Sequence, residues 1–199
     1  VTSWIKKEDV QAYLGTDKIT LSDADVLGQT ASDAVQAVLN RDLTMVTNLT
    51  EYYDTNGTDY ILLNNWPVRS IGSVTLNGMA ILPAIPGQPG WRLDGFNPRK
   101  LMLGQGRLLR GGIMVIGVLN QTAGYDFTQS VGSATGLPGT VHRALLLTCA
   151  AIFNAQAADP NLSSESTGGV FSGTFYPSGV GAVPPGALRL LSNEIRVAG

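Results

Sequence analysis

An α+β fold is predicted by three observations. Apolar residues recur at helical spacing near the start and again from about residue 138, strand-like runs fill residues 50–125, and Asn-Gly pairs punctuate that middle stretch. The expected architecture is a small helical bundle, two N-terminal helices plus a long buried helix near 138–158, with a small antiparallel β-region and an extended C-terminal arm.

Residues 7–14 set Val10 and Leu14 four apart with Tyr13 beside them, and Gly15 follows where a left-handed helix stop is favoured. Ser22 before Asp23 and Asp25 reads as a cap with acids in the first turn, and Leu27, Ala31, Ala34, Val35 and Val38 carry a second helix over 23–42. Gly28 inside it costs about 1 kcal/mol against Ala. It marks either close packing or a weakened first turn.

The period then changes to that of strands. Glu51-Tyr52-Tyr53-Asp54 and Asp59 to Leu63 flank Asn56-Gly57, which supplies the positive φ angles of a tight hairpin. Ile71 to Leu76 and Met79 to Leu82 repeat the device around Asn77-Gly78, and Ile113 to Leu119 has the length of a buried strand. Residues 83–112 are broken by Pro83, Pro86, Pro89 and Pro98, with strand-like pieces at Trp91-Arg92-Leu93 and Lys100 to Leu103, and are expected as an excursion from the sheet.

From Leu137-Pro138, a stripe of Val141, Leu145, Thr148, Ile152 and Ala155 joins Leu146, Leu147, Ala150, Ala151 and Phe153, so this helix is expected to be buried nearly all round. Residues 161–186 are rich in Ser and Gly, an arm composition, and Leu188, Leu191 and Ile195 share one side of a last helical piece. The expected division is a main domain over 1–160 and the arm over 161–199.

Composition narrows the function. At 44% hydrophobic and 14% charged, the 199 residues can bury a substantial core. One cysteine, Cys149, excludes an intramolecular disulfide, and with a single histidine, His142, there is no Cys/His set for zinc; a reducing cytoplasm fits. No apolar run approaches the roughly 20 residues that span a bilayer, and the first residues lack the apolar centre of a signal peptide. Charge is uneven: ten acids and four bases over 1–59, one acid and six bases over 60–125, four acids and three bases beyond. Unlike charge on two lateral faces is what a head-to-tail ring needs.

Catalytic signals are poor. Gly104-Gln105-Gly106 lacks the third glycine of a dinucleotide loop, no phosphate-loop Gly-Lys-Ser/Thr occurs, and Ser3-Trp4-Ile5-Lys6 has no partner motif for a Ser-x-x-Lys nucleophile. His142 lies in a first turn where a structural role suffices, Cys149 sits among apolar residues, and Asp23 and Asp25 point apart on a helix. No acid–base pair stands at workable spacing, and no cofactor is expected. Recognition signals are better. Arg107 and Arg110 suit phosphate or acidic side chains, Trp91 and Phe96 are interface-enriched types, and Phe171, Phe175 and Tyr176 on a Gly-rich tether cannot build a core alone. With Leu188, Leu191 and Ile195, these are the candidate partner-binding residues.

Taken in order, several segments together resemble the head–tail connector (adaptor) family of tailed bacteriophages. They are Glu8 to Gly15, Ala37-Val38-Leu39-Asn40-Arg41-Asp42-Leu43, Glu51 to Asp54, Trp66-Pro67-Val68-Arg69-Ser70-Ile71, Thr122-Ala123-Gly124-Tyr125 and the Leu137-Pro138 helix start. The resemblance covers about three quarters of the chain and rests on the ordered series, since each motif alone is common. It implies a virion subunit without catalytic residues or cofactor, assembled with copies of itself in a ring, commonly twelvefold, between the portal protein and the next neck or tail component, with double-stranded DNA passing through. The 83–112 insert and the arm after 160 depart from the family. Competing classes are a stopper or tail-terminator ring subunit, which would be predominantly β, a DNA-binding module, and a small hydrolase.

Overall fold

The structure, a computed structural model, describes residues 3–54, 58–85, 88–103, 115–157, 164–167, 171–174, 183–192 and 194. It is a mixed α+β protein whose contacts fall into two compact units, Val1–Asp42 with Phe127–Gly199, and Leu43–Asp126.

The first unit is helical. Helix α1, Lys7–Leu14, has Glu8 and Asp9 in its first turn and stops at Gly15, whose φ of 108° is open to glycine and whose N–H donates to the Gln11 carbonyl at 2.9 Å. Helix α2, Leu21–Leu39, begins before the expected position. Thr20, not Ser22, is its cap: the Asp23 N–H donates to Thr20 Oγ1 at 3.2 Å while that hydroxyl donates to the Asp23 carboxylate at 2.7 Å. The helix ends at Asn40 in the left-handed region. Gly28 is settled as a close approach, because a Cβ there would lie 3.0 Å from Ser3 Oγ and 3.1 Å from Ile5 Cγ2.

Helix α3, Gly139–Ala157, follows Pro138. Val141, Ala144, Leu145, Leu146, Thr148, Cys149 and Ile152 are buried on it, with α1 and α2 packed against it. Its first turn is tied to α1 by His142 Nε2 with Asp9 Oδ2 at 3.2 Å and by the Arg143 guanidinium 5.0 Å from the Tyr13 ring. Helix α4, Pro185–Leu191, also packs on α3, burying Ala187 and Leu191.

The second unit is β. A five-stranded antiparallel sheet runs β1 (Val46–Asp54), β8 (Val115–Ala123), β4 (Ser73–Leu76), β5 (Met79–Ile81), with β3 (Val68–Ser70) also on β8. The β4–β5 hairpin turns on Asn77 and Gly78, both at positive φ as expected. Strand β3 is entered through a cis Trp66–Pro67 bond.

Asn56-Gly57 itself lies outside the described residues, but the pairing expected of the strands that flank it is corrected. Strand β1 pairs with β8, whereas β2 (Tyr60–Leu62) pairs with β7 (Lys100–Leu103) in a separate three-stranded sheet closed by β6 (Trp91–Leu93). Burial decided the outcome: Ile61, Leu63, Leu101 and Leu103 join Val68, Val74, Ile116 and Val118 in one core between the two sheets. A turn-forming dipeptide permits chain reversal but does not outweigh that burial.

For the same reason 83–112 is not an excursion in its described part. It supplies β6 and β7, and its entry is fixed by Trp91 N–H to the Leu82 carbonyl at 3.1 Å and Ala84 N–H to the Trp91 carbonyl at 2.8 Å. Within the C-terminal arm, β9 (Ser164–Thr167) and β10 (Phe171–Thr174) form an antiparallel pair that composition did not announce.

Candidate functional site

The chemistry available to the described residues is sparse. The expectation that no acid–base pair exists is corrected, since folding brings Asp9 and His142 together across positions 133 apart in sequence. They border a cavity of about 240 Å³ with Trp4, Phe127 and Ser130, in which the Trp4 and Phe127 rings stack at 5.9 Å. The imidazole nitrogen facing Asp9 is its Nε2, and among the described residues no hydroxyl or thiol is bonded to the ring. The pair therefore fastens α1 to α3 without activating a nucleophile.

Cys149 is equally inert. Its Sγ lies 3.9 Å from the Leu27 carbonyl in the α2–α3 interior, and burial pushes the thiol up to about 12. No group of three His, Cys, Asp or Glu side chains that could hold a metal occurs among the described residues. Nor is any described helix long and apolar enough to cross a membrane.

The expected partner-binding residues scatter. Trp91 is half-buried on β6, packed against the core between the sheets. Phe96, in the turn between β6 and β7, is fully exposed at 101%, and its N–H donates to Asp94 Oδ1 at 2.9 Å. Leu188 is partly exposed on α4, while Leu191 one turn on is buried in its own unit and is no surface residue. Phe171 stands on β10. The Phe171 side chain and Arg107, Arg110, Phe175, Tyr176 and Ile195 lie outside the described residues.

Two surfaces escaped the sequence reading. One is the outer face of the β2–β7–β6 sheet. The register sets Tyr60, Met102 and Arg92 in one row and Leu62 opposite Lys100, all on the side away from Ile61, Leu101 and Leu103. Lys100 Nζ sits 4.4 Å from the Tyr60 ring centroid and 3.9 Å from Asp94 Oδ2, and Arg92 is exposed with no ion pair among the described residues. The alternation of β7, Lys-Leu-Met-Leu, was the available signal.

The other is on α2. Asp23, Val26, Thr30 and Asp33 follow one another at spacings of three, four and three and are all exposed, Val26 at 65%. Beside them runs a groove of about 330 Å³ lined by Ile19, Leu27 and Phe153 with Lys18 at its rim. The buried stripe of Ala24, Leu27, Ala31 and Val35 dominates the pattern of α2 and masks its outer one.

Neither a family model nor a curated protein matches the chain. Among solved structures it is similar to a chain of one described as the neck of an empty GTA particle computed with C6 symmetry. The identity is 16% and the TM-score 0.48, over 98% of this chain and 91% of that one.

Proposed function

We propose that the chain is a structural subunit of the neck of a tailed, phage-like particle. In this reading it is the head–tail adaptor, a non-enzymatic ring beneath the portal that bridges capsid and tail and forms part of the DNA conduit. The observation that carries the reading is the order of elements under the motifs of the resemblance. Gly15 stops α1, Trp66–Pro67 enters β3, Thr122-Ala123 ends β8 with Gly124 at a φ of 100°, and Leu137-Pro138 opens α3. The helix-led first unit also fits an adaptor better than a predominantly β stopper or tail terminator.

The portal, neighbouring copies in a ring and the next neck component are its proposed partners, with twelvefold symmetry expected from the resemblance. Phe96 and the segment of Phe171, Phe175, Tyr176, Leu188 and Ile195 are the side chains proposed to meet them; Leu191 is withdrawn from that set by its burial. Ring subunits make many modest contacts that close cooperatively. The test is genetic. Particles made without the chain should accumulate as DNA-filled heads lacking tails, and purified protein added to them should restore tail joining. Normal tailed particles in its absence would overturn the reading.

A further inference from the structure

We infer that the outer face of the β2–β7–β6 sheet is a docking surface for the exposed α2 stripe of a second copy of this chain. The inference rests on the ring reading above and names the surfaces through which neighbours would meet.

Charge and apolarity together select the occupant. Among the described residues the sheet face carries Arg92 and Lys100 against Asp94, and between them lie Leu62, Met102 and the Tyr60 ring. The α2 stripe offers the complement: Asp23 and Asp33 flank Val26, and the adjoining groove supplies Ile19, Leu27 and Phe153, with Lys18 at its rim. A cationic rim around apolar side chains matches an acidic rim around an apolar groove.

Nucleic acid fits the sheet face less well. Lys100 is already compensated by Asp94, which leaves Arg92 as the cation there without an ion pair among the described residues, and phosphate recognition gains nothing from Leu62 and Met102. The two surfaces differ from each other, so their union is heterologous, the class of contact from which rings of identical subunits are built when the rotation closes.

The experiment is disulfide trapping in the full chain carrying Val26→Cys and Met102→Cys, oxidised at high protein concentration and again in completed particles. The native Cys149 is buried and does not compete. A ladder of covalent oligomers is expected. Adding Asp33→Arg or Arg92→Asp singly should reduce trapping about fivefold, and the two together should restore it. All four positions are surface or half-buried, and unchanged melting of each variant separates lost docking from lost folding.

Only monomer, an intrachain disulfide, or failure of the double charge swap to restore trapping would overturn the inference. So would a sheet face that binds duplex DNA with a salt dependence relieved by Arg92→Asp while no ladder forms. Tail joining restored by a chain that gives no ladder would leave the adaptor reading standing without this contact. A ladder formed by a chain dispensable for tail joining would leave the contact and remove the adaptor reading.

Discussion

Arg41 holds Glu194 across 153 positions of sequence: its Nε–H donates to the Glu194 backbone carbonyl at 3.1 Å, and its Nη2 pairs with the Glu194 carboxylate. The arginine side chain is 4% exposed and the glutamate 17%, so the residue that follows the α2 cap anchors the turn that follows α4. Removing the carboxylate takes an anionic partner from a buried guanidinium, and the arginine is the one that cannot reach water. Glu194→Ala is expected to cost about 3 kcal/mol, the low end for a buried pair because the glutamate is partly wet. Chemical denaturation checks the size, and hydrogen exchange should show the α4 amides losing protection before those of α3.

Gly28 faces Ile5 and Ser3 with little more than room for its hydrogen. Gly28→Ala gains about 1 kcal/mol of helix propensity and spends it on a contact slightly too tight, so its melting should stay near the parent's. Gly28→Leu has no such margin and should cost roughly 1–3 kcal/mol by overpacking. Loss of exchange protection at the Trp4 amide, which donates to Ser32 Oγ at 3.0 Å, would report the displaced N-terminal segment.

Residues 84–97 supply strand β6, whose Trp91 and Leu93 pack against the core. Their deletion removes β6 and uncovers Leu101 and Leu103, which are essentially inaccessible in the intact core. The β unit should unfold, and Leu101→Ala alone should cost roughly 2–5 kcal/mol. Strand circular dichroism and resistance to proteolysis measure both. A deletion variant that melts like the parent would return the segment to the surface.

Cys149 gives a pH dependence with a fixed sign. Its thiol, ordinarily near 9.0, is raised to about 12 in the folded state, so between those values the folded chain retains a proton that the unfolded chain has lost. The stabilisation is complete below pH 9 and falls as pH rises through the window, by up to about 1.4 kcal/mol per pH unit. Comparing parent with Cys149→Ala at pH 8.5 and 10.5 isolates this group from the other titrating side chains. Native protein should also resist iodoacetamide until denatured.

The helices were legible because their signals are local: Gly15 after Leu14, and the nearly continuous apolar surface of α3. The two Asn-Gly pairs show where locality ends. At Asn77-Gly78 the flanking strands are each other's best partners and the hairpin forms, whereas at Asn56-Gly57 the flanking segments belong to different sheets through long-range pairing with β8 and β7. Periodicity carries no information on partners so distant. The same limit hid the Asp9–His142 pair and the outer face of the second sheet, both of which exist only after distant segments meet. Leu191 failed as a surface candidate because an amphipathic stripe does not say whether its cover is its own chain or another.

The most direct measurement of the central claim is an electron cryo-microscopy reconstruction of the head–tail junction, from particles carrying this chain with a density label on the exposed turn at Gly132. The adaptor account predicts a closed ring of labelled subunits against the portal, surrounding a channel wide enough for duplex DNA. Label found on the capsid surface or the distal tail, or absent from mature particles, would contradict it.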